Sequence, residues 1–187
     1  MKNSIKSSIL FFALSGIVFG ANAQTNAKKV PSGIVYSIGV ESRLAAGNFN
    51  NSHRWNLGGS IQADFPVVKS LYLTANAGYN NFFGKDNIHD INLIPVKGGI
   101  KYFPLDILYV QGEAGAAFST NKSTVGFDNS AAFIYAPQVG VRIQLGNSNS
   151  FIDAGVRYEG SSKFATKAES SKVNFFGLRV AYALTSR

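Results

Sequence analysis

The sequence predicts an all-β protein, an eight-stranded antiparallel up-and-down transmembrane β-barrel. Three observations predict it. Apolar and polar residues alternate with a period of two through eight segments, the signature of strands with one apolar face. The connections between segments alternate long and short, as when hairpins run up and down a barrel with short periplasmic turns and longer outer loops. All the charge within the segments falls on one parity.

Composition supports the reading. The 187 residues are one domain's worth. Nineteen Gly and fifteen Phe with only 15% charged residues suit a β protein better than a helical one. There is no cysteine, which excludes disulfides, a thiolate metal site, a thiol nucleophile and lipoprotein acylation.

Residues 1–23 read as a cleaved signal peptide. Lys2 and Lys6 form a basic start, Ile9–Gly20 is an apolar run too short to span a bilayer, and Ala21-Asn22-Ala23 is a small-x-small cleavage site. Residues 24–32 are a polar leader, and 33–187 form the barrel domain. Without Lys2 and Lys6, 16 basic residues face 10 acidic ones.

The first strand, Gly33–Arg43, puts Ile34, Tyr36, Ile38 and Val40 on one face. Trp55–Phe65 follows with Trp55, Leu57, Ile61, Ala63 and Phe65, and Leu71–Asn80 with Leu71, Leu73, Ala75, Ala77 and Tyr79. Asn92–Phe103 and Ile107–Ser119 continue the pattern. Ala132–Leu145 and Phe151–Glu159 form the clearest hairpin, joined by Gly146-Asn147-Ser148-Asn149-Ser150. Val173–Leu184 closes the set with Phe176, Leu178, Val180, Tyr182 and Leu184. Each strand is long enough to cross the hydrocarbon layer at a tilt. Pro95 and Pro137 fall inside strands and require a bulge or a local break in pairing.

The opposite face carries Glu41, Asp64, Glu113, Asp153 and Glu159 with Arg43, Lys97, Lys101, Arg142, Arg157 and Arg179. It also carries one glycine per strand: Gly39, Gly58, Gly78, Gly99, Gly115, Gly140, Gly155 and Gly177. A narrow eight-stranded lumen explains both, since small residues must make room for long ones. A soluble periplasmic lipid-binding barrel satisfies the same period with the faces reversed. The membrane reading has the better fit: the apolar face holds no charge, and its aromatics gather at strand ends. Trp55, Tyr79, Phe118, Phe133, Tyr158 and Phe176 lie toward the long loops; Tyr36, Phe65, Tyr102 and Tyr182 lie toward the short turns.

On these residues the chain resembles the small outer-membrane barrels of Gram-negative bacteria, the OmpA-like and OmpX-like, porin-like group, over roughly residues 33–184. Gly177-Leu178-Arg179-Val180-Ala181-Tyr182 is similar to the Gly-x-x-Φ-x-aromatic signal of a terminal strand. The chain continues past the aromatic to Arg187, and no peptidoglycan-binding domain is expected after it. The resemblance implies the outer membrane as location, contact with its lipid and lipopolysaccharide, and the barrel-assembly machinery during insertion. The expected state is a monomer.

The function expected is a structural or interaction role through the outer loops, with the eleven charged residues closing the lumen as a salt-bridged network. A narrow porin-like channel is the alternative use of the same lumen. An enzyme acting on lipid A or phospholipid as an acyl hydrolase or acyltransferase would need His53 or His89, beside Ser52 and Asp90, but no nucleophile motif accompanies them. No catalytic residue, cofactor or metal is therefore assigned, and two scattered histidines make a poor metal site. Loop residues Lys85, Lys122, Lys163, Lys167 and Lys172 face anionic headgroups or simply water. Nucleic-acid binding is excluded because the bases alternate with acids or scatter through loops.

Overall fold

In a computed structural model the eight alternating segments close on themselves. The structure describes residues 33–46, 53–84, 90–121, 129–164 and 172–186. The expected signal peptide, the leader, Ser52, His89, Lys85, Lys122 and Lys167 lie outside the described residues.

The strands are β1 (Val35–Ala45), β2 (His53–Val68), β3 (Leu71–Gly84), β4 (Ile91–Tyr102), β5 (Leu108–Ser119), β6 (Ala131–Gln144), β7 (Ser150–Ser161) and β8 (Phe175–Thr185). Each pairs antiparallel with its sequence neighbours, and β8 pairs back onto β1. Closure leaves no sheet edge, so every strand has a backbone partner on both sides, as hydrocarbon requires.

Following the register around the barrel from Val35 through Asp64, Thr74, Gly99, Glu113 and Ala136, then across the interrupted β6–β7 ladder at unchanged register to Glu159 and on to Phe175, returns to β1 at Ala45. That ten-residue stagger over eight strands corresponds to a strand tilt of about 40°. The tilt sets the height of the outer apolar belt. Trp55 and Phe65, ten residues apart on β2, are separated by about 25 Å along the axis, the thickness of a bilayer's apolar band.

The prolines are accommodated by breaks in pairing, and no register shift occurs at either. Pro95 pairs with Ala117 on β5, while opposite it the β3–β4 ladder skips from Ala77↔Val96 to Asn80↔Leu93. Pro137 pairs with Gly112 on β5, and the β6–β7 ladder skips from Tyr135↔Gly160 to Gln138↔Arg157. The irregularities lie elsewhere, both between β2 and β3, at His53/Asn56 and Pro66/Val68.

The second irregularity corrects one sequence expectation. Pro66 does not end β2; the strand continues to Val68, and the turn shrinks to Lys69 and Ser70. Ser70 takes a left-handed φ of 70° to make so short a reversal.

Candidate functional site in the barrel lumen

Strand parity decides what the lumen contains. Ile38, Val40, Ile61, Val96 and Leu178 are among the large apolar residues left exposed on the outer wall. Trp55, Tyr79, Phe118, Phe133 and Phe176 are exposed at the long-loop end, and Tyr36, Phe65, Tyr102 and Tyr182 at the short-turn end. Tyr158 bridges its girdle neighbours, with its ring centroid 6.2 Å from that of Tyr135 and 5.1 Å from that of Phe176. An apolar recess on the wall formed by β1, β2, β3 and β8 is lined in part by Ile38, Val40, Gly59, Ile61, Ala77 and Val180.

All eleven charged residues singled out from the sequence point inward, and none is more than 4% exposed. They form two layers. Toward the short turns, Lys101 Nζ donates to Asp64 and to Asp153, each at 3.1 Å. Arg142 donates from Nε and Nη2 to Asp153 at 3.2 and 3.0 Å, and also from Nη2 to Asp64. Two cations thus face two carboxylates, with Lys101 reaching from β4 to β2 and to β7.

The second layer lies toward the long loops. Lys97 Nζ donates to Glu159 at 2.8 Å, across the bore from β4 to β7, and ion-pairs with Glu113 at 3.3 Å. Arg43 donates to Glu41, and Arg157 lies 3.6 Å from both Glu41 and Glu113. Arg179 joins the layers, 3.6 Å from Glu41 and 3.6 Å from Asp153. Neutral polar side chains fill the gaps: Gln62 donates to Asp64 at 2.6 Å, and Asn76 to Gln62 at 3.0 Å.

Tyr109, which sequence reasoning did not single out, anchors the lower layer. It is fully buried, donates to Asp153 Oδ1 at 2.7 Å and accepts from Gln138. Lys101 stands 4.4 Å over its ring. Gly140 and Gly155 make its space, because a Cβ on either would strike the tyrosine hydroxyl. The signal was available: Tyr109 shares parity with Gln111 and Glu113.

Buried apolar clusters lie beyond the charged layers toward both ends of the bore, and the charge pattern did not reveal them. At the long-loop end, Phe82, Ile91, Leu93, Ile134, Phe164 and Phe175 are among the buried residues of one cluster. At the short-turn end, Tyr72, Phe103 and Tyr109 form a second cluster and Val35, Phe151 and Ala183 a third. Cations line the seams between caps and charged layers: Arg43 lies 4.8 Å over Phe175, and Arg142 5.2 Å over Phe103.

Of the residues weighed for catalysis, Ser52 and His89 lie outside the described residues. Asp90 Oδ1 accepts from the backbone N–H of Gly84 at 3.0 Å. His53 begins β2 at the barrel rim. Among the described residues no group of His, Asp and Glu is arranged to hold a metal ion.

A closed barrel with a charge-free apolar wall, two aromatic girdles and an ion-paired interior is a transmembrane β-barrel: lipid meets the apolar face, so the soluble lipid-binding alternative, which needs that face inside, falls. No family model and no curated relative matches the chain. Solved structures do share its fold. The outer membrane protein Ail of Yersinia pestis, in a phospholipid bilayer nanodisc, is 16% identical, with 82% of this chain and 100% of that one covered and a TM-score of 0.52. The outer membrane protein OprG of Pseudomonas aeruginosa is 11% identical, with 86% and 98% covered and a TM-score of 0.52. Identities this low speak for the fold alone.

Proposed function

We propose that this is an exported, non-enzymatic outer-membrane protein, a monomer whose closed barrel acts as a rigid membrane-anchored base for its outer loops. The carrying observation is the filled lumen: two ion-paired layers, with apolar caps beyond them at either end. A pore needs a continuous column of water, whereas charged side chains buried this fully need one another. The eleven charges act as cross-braces between strands that do not adjoin, Lys97 to Glu159 and Lys101 to Asp153 above all. On a base so braced, the outer loops are the working surface, since loops on rigid scaffolds carry function. Residues 1–23 direct export, and the barrel-assembly machinery reads the β8 segment Gly177–Tyr182 during insertion. Lipopolysaccharide and outer-membrane lipid are its surroundings.

Planar-bilayer recording on the refolded full chain tests the closed lumen. The expected trace is flat, with no unitary steps. Reproducible steps would overturn the reading in favour of a narrow channel. For the absence of catalysis, His89→Ala is expected to leave lipid A composition unchanged in cells expressing the protein; an altered acylation pattern would make the protein an enzyme.

A further inference from the structure

We propose that the three short turns sink together into the headgroup layer of the phospholipid leaflet on their side of the membrane, with Val67, Val68, Leu105 and Leu145 as the immersed side chains. This goes beyond the proposed function. It rests on the lipid-facing outer wall and not on the closed lumen.

The carrying observation is where apolar character stops. Tyr36, Phe65, Tyr102 and Tyr182 form the aromatic girdle at the short-turn end. A surface beyond them that met water would be polar, and this one is not. Past Phe65, Val67 and Val68 are 55% and 60% exposed, and past Tyr102, Leu105 is 63% exposed. These values match that of Ile61 in the middle of the belt, 61%. Leu145, the residue after β6, is exposed as well. A single bare valine or leucine is ordinary on any protein surface. Here every short turn carries one, directly after a strand whose outer face is apolar.

The change to polar residues follows at once in each turn. Lys69 succeeds Val68, Asp106 succeeds Leu105, and Gly146 and Asn147 succeed Leu145; all four are exposed. The three turns therefore share a depth. Val68 lies three residues beyond Phe65. On a strand tilted by about 40°, and with the Pro66/Val68 irregularity allowed for, that is about 5–7 Å past the girdle. The headgroup layer on each side of a bilayer's hydrocarbon core is also about 5–7 Å thick. The apolar turn residues occupy that layer, and the polar residues after them reach its aqueous edge. The Lys69 stem can lie along the layer while its ammonium meets phosphate or water.

The turn backbones suit a place where water is scarce. Pro66 and Pro104, both exposed, have no N–H to satisfy. The Ser70 carbonyl accepts from the Phe103 N–H at 2.8 Å, and the Ile107 carbonyl from the Arg142 N–H at 2.7 Å, so adjacent turns and strands tie one another. In the third turn the Leu145 N–H donates to the Ser150 carbonyl at 2.9 Å, and Ser148 Oγ donates to the Leu145 carbonyl at 2.6 Å.

The chain has no cysteine, so a nitroxide can be attached at one introduced thiol at a time. Val68→Cys, Leu105→Cys and Leu145→Cys are labelled in the full chain folded into vesicles of phosphatidylcholine and phosphatidylglycerol. Asn147→Cys is the aqueous reference and Ile61→Cys the hydrocarbon reference. Collisions with a water-soluble nickel chelate, set against those with oxygen, report depth. At all three turn sites the nickel collision rate is expected to fall several-fold below that at Asn147 and to stay several-fold above that at Ile61. A rate equal to that at Asn147 in any turn would leave it in water, and a rate equal to that at Ile61 would place it in hydrocarbon; either overturns the shared depth. Shielding in outer-membrane fragments but not in vesicles would assign the surface to a protein partner and overturn the proposal too. Unitary steps in a planar bilayer would overturn the closed lumen and leave these depths unchanged, so the two failures read separately.

Discussion

At the scale of single residues, the glycines show how parity becomes energetics. Eight glycines on one parity were legible as a fact of the sequence, and a crowded interior was the reason available for them. The side chains they accommodate were not legible, because that depends on which residues the register brings opposite. A Cβ on Gly99 would strike the Gly112 carbonyl, one on Gly115 the Val96 carbonyl, and one on Gly140 the Tyr109 hydroxyl. On the outer parity, Gly112 has nothing within 4 Å of the same position. Gly140→Ala is therefore expected to destabilise the barrel by about 1–3 kcal/mol through overpacking against Tyr109. Gly112→Ala is expected to change stability by less than about 1 kcal/mol, since an added methyl there meets only lipid. Urea unfolding of each variant in micelles checks the pair. A larger loss at Gly112 than at Gly140 would mean that the parities have been exchanged, and equal losses would mean that Gly140 is no more crowded than Gly112.

At the scale of the strands, alternation placed all eight elements to within a few residues at each end. The largest misplacements are the ends of β3, which runs past Asn80 to Gly84, and of β2, where the Pro66/Val68 irregularity lets a proline sit inside a strand that runs on to Val68. The apolar caps were harder to read. Phe82, Leu93, Ile134 and Phe175 share parity with the charged residues, and only the stagger around the barrel places them at one height near the mouth. The charges share the inward parity, but their partners cross from strand to strand over long sequence separations. Asp64 and Lys101 illustrate what such a brace contributes. They lie on β2 and β4, which do not pair, and meet at 3.1 Å. Lys101→Met alone leaves Asp64 and Asp153 with one cation fewer and is expected to cost about 3–5 kcal/mol. Adding Asp64→Leu removes one of the stranded charges and should recover a large part of that loss, because replacing both members of a buried pair by apolar residues is often close to neutral. A double-mutant cycle by urea unfolding measures the coupling. Additive losses would mean that the two groups do not interact.

At the scale of the whole molecule, the inside and outside of the barrel answer to different solvents. The interior uses ion pairs, amides and the Tyr109 hydroxyl to satisfy its polar groups. The exterior does the reverse, exposing Ile38 at 65%, Val40 at 66% and Ile61 at 61%, a surface that aqueous solution would penalise and hydrocarbon accepts. The tilt that places Trp55 and Phe65 at opposite interfaces puts Ile61 near the middle of the bilayer and Tyr102 at the short-turn interface. Depth should then set the cost of a charge. Ile61→Arg is expected to destabilise the barrel by about 2–4 kcal/mol, and Tyr102→Arg by only about 0–1 kcal/mol once the loss of the ring is allowed for with Tyr102→Ala. Both positions are exposed outer-wall sites, so in micelles or vesicles the difference comes from their position along the membrane normal and not from packing inside the protein. Measuring the two variants by reversible folding into phospholipid vesicles places the belt directly. Equal costs would mean that the girdles do not mark the bilayer's boundaries, and a near-zero cost at Ile61 would mean that this wall does not face lipid.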